Sequence, residues 1–274
     1  MKKIYASIAA ILCAASLLSA QDQQVRVFAH RGGRAEFEEN VLKTFQECNA
    51  KGMNGFETDV RLTADGEFVI SHDADMGRMY DRPGIIEELT LKELKTFHTK
   101  EGNQIMTLDE LLDFLKDKKG LYVEFEMKTS DEKAYPLEKL EKYCDRLYKT
   151  VMKAKPADAT FLLTSFDYRA IRYLTTNHPG EDCFMLIHGD PISDKTIALA
   201  LAMNVHRLAG TINGTSRAKV KEAHDKGLIV SLWPGTSPAD FMLGVSLGAD
   251  YLCTDVPMAI MDWTKKTPWL NVVF

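Results

Sequence analysis

Short apolar runs alternate with longer amphipathic patterns along nearly the whole chain, and few architectures accept such a string. Strand-like runs fall at 25–29, 55–61, 121–127, 160–164, 183–187, 206–209, 228–233 and 251–254. Patterns with helical spacing lie between and after them, at 39–51, 107–117, 135–153, 167–177, 194–203, 216–226, 237–247 and 256–265. Eight such units in 274 residues predict an α/β fold, a single-domain (β/α)8 TIM barrel. An open doubly wound sheet would satisfy the same alternation, but no Gly-rich dinucleotide fingerprint follows the first run. Asp167, Ser216 and Ser237 stand where an N-cap side chain is wanted, and Gly227 stands where a helix should stop.

A barrel places its chemistry at the carboxyl ends of its strands. His30, Asp59, Lys128, Ser165, His188, Trp233 and Thr254 all fall near such ends. The second strand carries Glu57-Thr58-Asp59, and residues two apart on a strand share a face, so both acids point the same way. On a strand covered on both sides they would be buried together and would need a proton or a cation. Hard divalent ions are held by carboxylate oxygens, and no Cys or His cluster offers a softer zinc-type site. One divalent cation, Mg2+ or Ca2+, is therefore expected here, the alternative being an edge strand with two solvated acids. The third strand, LYVEFEMK, alternates Glu124, Glu126 and Lys128 on one face, which is hard to explain as core filling.

His30 ends the first strand and precedes Arg31, Gly32 and Gly33, a corner suited to a phosphate because glycine lets backbone turn sharply. His72 ends the short run 68–71, with Asp73 beside it as an acceptor able to fix its tautomer. Two imidazoles and two carboxylates thus converge on the ends of neighbouring elements.

Several motifs occur together and in order: HRG at 30–32, ENVLKTF at 39–45, GFETDVRLTADGEFVISHD at 55–73, VEFEMK at 123–128 and GADYLCTDVP at 248–257. In these the chain resembles the glycerophosphodiester phosphodiesterase family over nearly the whole mature length. The resemblance implies a TIM barrel, with Glu126 joining Glu57 and Asp59 as the third metal ligand and Lys128 contacting phosphate. It would place Trp233 against the glycerol part of a substrate, although family members usually continue with Thr rather than Pro234. Glu124 stands where the family often has Asn, and could add a charge below the metal or pair with a base. The segment 74–106, between the second and third barrel strands, is where the family carries an insertion over the site. Here it is short, and Met76, Met79 and Tyr80 could form a flap or a small satellite core.

These residues define an expected reaction: metal-dependent hydrolysis of glycerophosphodiesters to glycerol 3-phosphate and an alcohol. His30 and His72 would divide general-base and general-acid work, with Arg31 and Lys128 at the phosphate oxygens. A phospholipase or sphingomyelinase D-like enzyme acting on lipid head groups is one alternative, which the lack of a basic or aromatic membrane-binding run disfavours. A catalytically silent secreted binding protein is another, which the intact set of acids and histidines disfavours.

Residues 1–20, MKKIYASIAAILCAASLLSA, have the pattern of a secretory signal peptide with a cut after Ala20, leaving 21–274 as an exported, periplasmic or secreted domain. Leu12 before Cys13 argues against a lipoprotein. The run is too short for a confident membrane span. A net charge of −5 with scattered basic residues leaves no nucleic-acid footprint. Cys48, Cys144, Cys183 and Cys253 lie far apart without metal-ligand spacing, and buried free thiols are expected. The apolar tail from Trp263 to Phe274 could pack on the barrel floor or against a second copy.

Overall fold

A computed structural model describes residues 24–274; the leader-like stretch 1–20 lies outside the described residues. In chain order the strands are β1 (Val25–Ala29), β2 (Gly55–Leu62), β3 (Phe68–Ile70), β4 (Met106–Thr107), β5 (Tyr122–Met127), β6 (Thr160–Ser165), β7 (Phe184–Pro191), β8 (Arg207–Thr211), β9 (Ile229–Gly235), β10 (Tyr251–Thr254) and β11 (Val272–Val273). β1, β2 and β5 to β10 pair in parallel, and β1 closes the ring by pairing with β10 and, through Ala29 and Phe56, with β2. This is the expected (β/α)8 barrel. All eight barrel strands overlap the apolar runs.

The helices Leu42–Ala50, Leu108–Leu115, Leu137–Ala154, Tyr168–Asn177, Asp194–Ala202, Arg217–Asp225, Pro238–Leu247 and Pro257–Thr264 match the amphipathic patterns. Their ends follow the expected signals. Asp167 accepts from the N–H of Arg169, Ser216 from Lys219 and Ser237 from Asp240, while Gly227 takes a φ of +80° after its helix. Among the described residues no helix is long and apolar enough to cross a membrane.

Alternation along the strands sorts the side chains into two layers. Phe56, Val60, Val123, Phe125 and Met127 face outward and pack against helix residues such as Phe45, Leu111 and Leu147. Inside the ring, Phe28, Tyr122, Leu162 and Cys253 form a smaller cluster, and Tyr122 stacks on Tyr251 with centroids 4.6 Å apart near the amino ends of their strands. That apolar plug fills the lower barrel and leaves the upper half for polar groups. Cys48, Cys144, Cys183 and Cys253 are buried free thiols, as expected.

Three features add to the alternation. β3 runs antiparallel to β2 and pairs Val60 with Ile70, so the hairpin carries the chain back toward the carboxyl end of the barrel. Within segment 74–106, Met76 joins Val69, Ile86, Leu94, Phe97 and Ile105 in a satellite core, with Tyr80 packed against it. Met76 and Tyr80 therefore take the satellite place, which Met79 does not join. The tail ends in β11, which pairs Val272 and Val273 with Val25 and Arg26 at the start of β1. The tail is thus docked on the barrel floor.

Candidate active site

The register of two neighbouring strands assembles the acids. In the β2–β5 ladder, Glu57 lies opposite Glu124 and Asp59 opposite Glu126. Four carboxylates therefore face the interior in two rungs. Glu57, Asp59 and Glu126 converge, with one oxygen from each lying within 4.8 Å of the others, and all three are buried. Oxygens on opposite sides of a Mg2+ or Ca2+ ion are separated by roughly 4–5 Å. Glu124 does not join them. Its Oε1 accepts a hydrogen bond from the Tyr122 hydroxyl at 2.5 Å, on the side of the barrel plug.

The charges around the cluster are uneven. Burial, with Asp59 and then Glu126 as like-charged neighbours, pushes the Glu57 carboxyl well above its usual range. Burial also raises Glu126 to about 6, against the opposing pull of Lys128. For Asp59 burial acts in the same direction, but Lys128 and Arg31 together hold it at about 2. Lys128 Nζ is 2.8 Å from Glu126 and 3.6 Å from Asp59. Glu57 Oε1 and Asp59 Oδ1 are buried without a hydrogen-bond partner. Buried acceptors left in that condition are costly, and a hard cation is the partner an all-carboxylate donor set fits.

The corner after β1 brings the first imidazole and the first guanidinium to this cluster. Arg31 takes a φ of 52° and Gly32 and Gly33 take 81° and 105°. A Cβ on Gly32 would lie 2.7 Å from Thr44 Cγ2, so the corner requires glycine there both for its backbone angle and for space. The turn points the Arg31 N–H at Glu57 Oε2, 2.9 Å away, and sets Arg31 Nε 3.5 Å from Asp59. Asn40, also left-handed with a φ of 58°, donates from its amide to Asp59 Oδ2 at 2.8 Å and accepts from Thr58. Two non-glycine residues in this region of φ beside one carboxylate mark a place where strain is tolerated for position.

Each histidine has its own carboxylate. His30 Nδ1 is 2.5 Å from Asp255 Oδ1, and His72 Nδ1 is 2.6 Å from Asp73 Oδ1. A ring whose Nδ1–H is held in this way presents Nε2 as its reactive nitrogen. His30 Nε2 lies 3.8 Å from Glu57. Burial lowers the His72 pKa, with Lys128 and Arg31 adding to the effect against the pull of Asp59. Both rings line one cavity of about 130 Å³ with Arg31, Glu57, Glu126 and Glu124. Its opposite wall is Phe166, Ile187 and Trp233, where Phe166 meets Trp233 edge to face at 5.5 Å.

The structure thus brings His30, His72, Arg31, Glu57, Asp59, Glu126, Lys128 and Trp233 to one end of the barrel. Ser165 is occupied elsewhere, donating to the Met127 carbonyl at 2.8 Å, and His188 pairs with the Tyr168 hydroxyl at 3.0 Å. Neither belongs to the cavity wall. Asp255, Asn40, Glu39 and Arg78 were not singled out by spacing. Asp255 lies 225 positions from its histidine, and only closure of the ring makes them neighbours.

A parallel barrel with a carboxylate cluster flanked by two imidazoles at its carboxyl end defines a hydrolase-type site in which charge and proton transfer can act together. The model of the glycerophosphoryl diester phosphodiesterase family matches residues 30–259. The chain belongs to that family, and with it to the phosphoric diester hydrolases. It is 26% identical over 247 residues to a glycerophosphodiester phosphodiesterase of Caldanaerobacter subterraneus, covering 88% of this chain and 98% of that protein. It is 22% identical over 275 residues to mouse Lysophospholipase D GDPD3, covering 88% and 82%. Among solved structures, a phosphodiesterase of Oleispira antarctica in complex with the product sn-glycerol-3-phosphate superposes with a TM-score of 0.78 at 22% identity, covering 88% of this chain and 96% of that one. At that identity the likeness shows the fold.

Proposed function

We propose that the chain hydrolyses glycerophosphodiesters to glycerol 3-phosphate and a free alcohol, in a reaction that depends on a divalent cation and uses His30 and His72 for proton transfer. The observation that carries this is the pairing of each imidazole with its own carboxylate, on either side of a buried cluster of three acids with orphaned oxygens. Glu57, Asp59 and Glu126 would hold the cation, and an ion bound there supplies charge neutralisation and polarisation at a phosphate oxygen. Arg31 and Lys128 add positive charge for the other phosphate oxygens. Asp255 and Asp73 keep the Nδ1 protons of the two rings in place. One Nε2 then takes the proton of the attacking hydroxyl, and the other delivers a proton to the departing alkoxide, so that charge does not accumulate on either oxygen. Trp233 and Phe166 offer an apolar wall to the carbon skeleton of the substrate.

The test is release of choline or ethanolamine from glycerophosphocholine, glycerophosphoethanolamine and lysophosphatidylcholine, with and without chelator, the partner product being glycerol 3-phosphate from the first two and its acylated form from the third. Turnover of the first two supports the proposal, turnover of lysophosphatidylcholine alone supports a lipid head-group enzyme, and binding without turnover supports the silent protein. The leader-like stretch 1–20 supports export, and a mature protein beginning at Gln21 is the expected result of amino-terminal sequencing.

A further inference from the structure

Arg78 sits at the end of the short 3-10 turn Met76–Arg78 in the insertion, outside the cavity wall, and no step of the reaction above uses it. Its guanidinium nevertheless joins two carboxylates from distant segments. Nε donates to Asp73 Oδ2, while Nη2 and Nη1 reach Glu39 Oε1 and Oε2 at 2.5 and 3.1 Å. Asp73 uses its other oxygen to hold His72 Nδ1, and Glu39 Oε1 is 3.3 Å from Arg31 Nη1. An unbroken chain of charge-assisted contacts therefore runs from His72 through Asp73, Arg78 and Glu39 to Arg31.

An exposed ion pair contributes little, but this one differs in two respects. Glu39 is only 8% exposed, and the guanidinium grips both of its oxygens, a geometry that fixes direction as well as distance. The base of Arg78 is also anchored. Met76, two residues before it, is buried in the satellite core, its N–H donates to Gly84 O at 3.0 Å, and Asp75 accepts from the Gly77 N–H. The insertion thus holds the base of one arginine in place beside the site.

We propose that Arg78 is a positioning residue that couples the orientation of His72 to that of Arg31, so that the insertion aligns proton transfer and phosphate binding together. The proposal rests on the roles given above to His72 and Arg31. Removing the guanidinium frees Asp73 to turn from the imidazole and leaves Glu39 to draw Arg31 away from the acids. Lysine, with one compact ammonium in place of a planar fork, cannot reproduce the two-oxygen grip on Glu39 together with the bond to Asp73.

The test is steady-state kinetics on glycerophosphocholine at saturating divalent ion for Arg78→Ala, Arg78→Lys, Asp73→Asn and the Arg78→Ala/Asp73→Asn double variant, with thermal midpoints alongside. Arg78→Ala is expected to lower kcat and raise KM, with kcat/KM falling about 10- to 100-fold, the range seen when the partner of a functional side chain is removed. Asp73→Asn is expected to lower kcat alone, and the double variant to show no further loss of kcat. Arg78→Lys is expected to recover only part of the lost kcat/KM, because the fork geometry is absent. Kinetics of Arg78→Ala within twofold of the parent, or kcat losses that multiply in the double variant, overturn the proposal. If the parent does not turn over glycerophosphocholine, the functional reading fails first. Side-chain 15N spectra then decide the coupling, since Arg78→Ala must shift both the ring nitrogens of His72 and the Nε of Arg31, and an unmoved signal at either overturns it.

Discussion

Asp59 and Glu126 are rung partners on adjacent parallel strands, and that single pairing places two buried carboxylates side by side with Lys128 and Arg31 as nearby positive charge. A third acid, Glu57, enters from one pleat below. The cluster is therefore costly to the fold by itself, a common property of sites built for a ligand that brings opposite charge.

Cation binding should depend on pH. Burial and neighbouring charges raise Glu57 well above its usual range and Glu126 to about 6, so a divalent ion must displace protons in mildly acidic solution. Affinity for Mg2+ or Ca2+ is expected to rise as pH increases through about 6. Calorimetry in two buffers of different ionisation enthalpy checks this, with proton release at pH 5.5 exceeding that at pH 8. Chelation should abolish turnover, and either ion should restore it.

Replacing His30 or His72 with Ala should lower turnover by about 10²- to 10⁴-fold, the usual contribution of general acid–base groups, with the thermal midpoint nearly unchanged. Asp255→Asn is expected to lower it by roughly 10- to 100-fold, because the amide still fills the space but no longer favours the Nδ1 proton of His30. Equal turnover in Asp255→Asn and the parent would remove Asp255 from the proton pathway.

Glu124→Gln should stabilise the protein in chelator. Burial raises the Glu124 carboxyl to about 8, despite the Tyr122 hydroxyl and Arg207, whereas its ordinary value is 4.5. The folded state binds this proton more tightly than the unfolded chain does, so the stability linked to Glu124 is present below about pH 4.5 and is lost as pH rises toward 8. The amide has no proton to lose and can still accept from Tyr122. At pH 9 a gain on the order of 3 kcal/mol over the parent is expected, shrinking to none below pH 4.5, as read from urea titrations at several pH values.

Gly32→Ala should cost about 1–3 kcal/mol, because the new methyl group would meet Thr44 Cγ2 and the backbone would hold a positive φ without glycine. Turnover should fall as well, since the same turn aims the Arg31 N–H at Glu57. Unfolding midpoints and kinetics on the one variant test both effects.

The strands and helices were legible because every crossover repeats the same local pattern, and Glu57 and Asp59 were legible because period-two spacing survives in any strand; spacing put Glu124 and Glu126 on one face alike, and only the family resemblance singled out Glu126. His72 with Asp73 could be read as adjacent residues. Asp255 could not be assigned to His30, because no local rule links the last barrel strand to the first. Glu39 and Arg78 stood in an acidic run and a loop, where charged residues are ordinarily solvated. Glu124 shared its face with Glu126, but its turn toward Tyr122 depends on the phenol lying below it, which spacing does not encode. β4 and β11 are two residues each, too short to leave a periodic trace.

His30 leaves β1 and Asp255 follows β10, so their contact spans the seam where the first and last staves of the ring meet. A growing polypeptide emerging from a ribosome cannot form this dyad until almost all of it has been synthesised. Contact between His30 and Asp255 is therefore a built-in signal that the ring has shut.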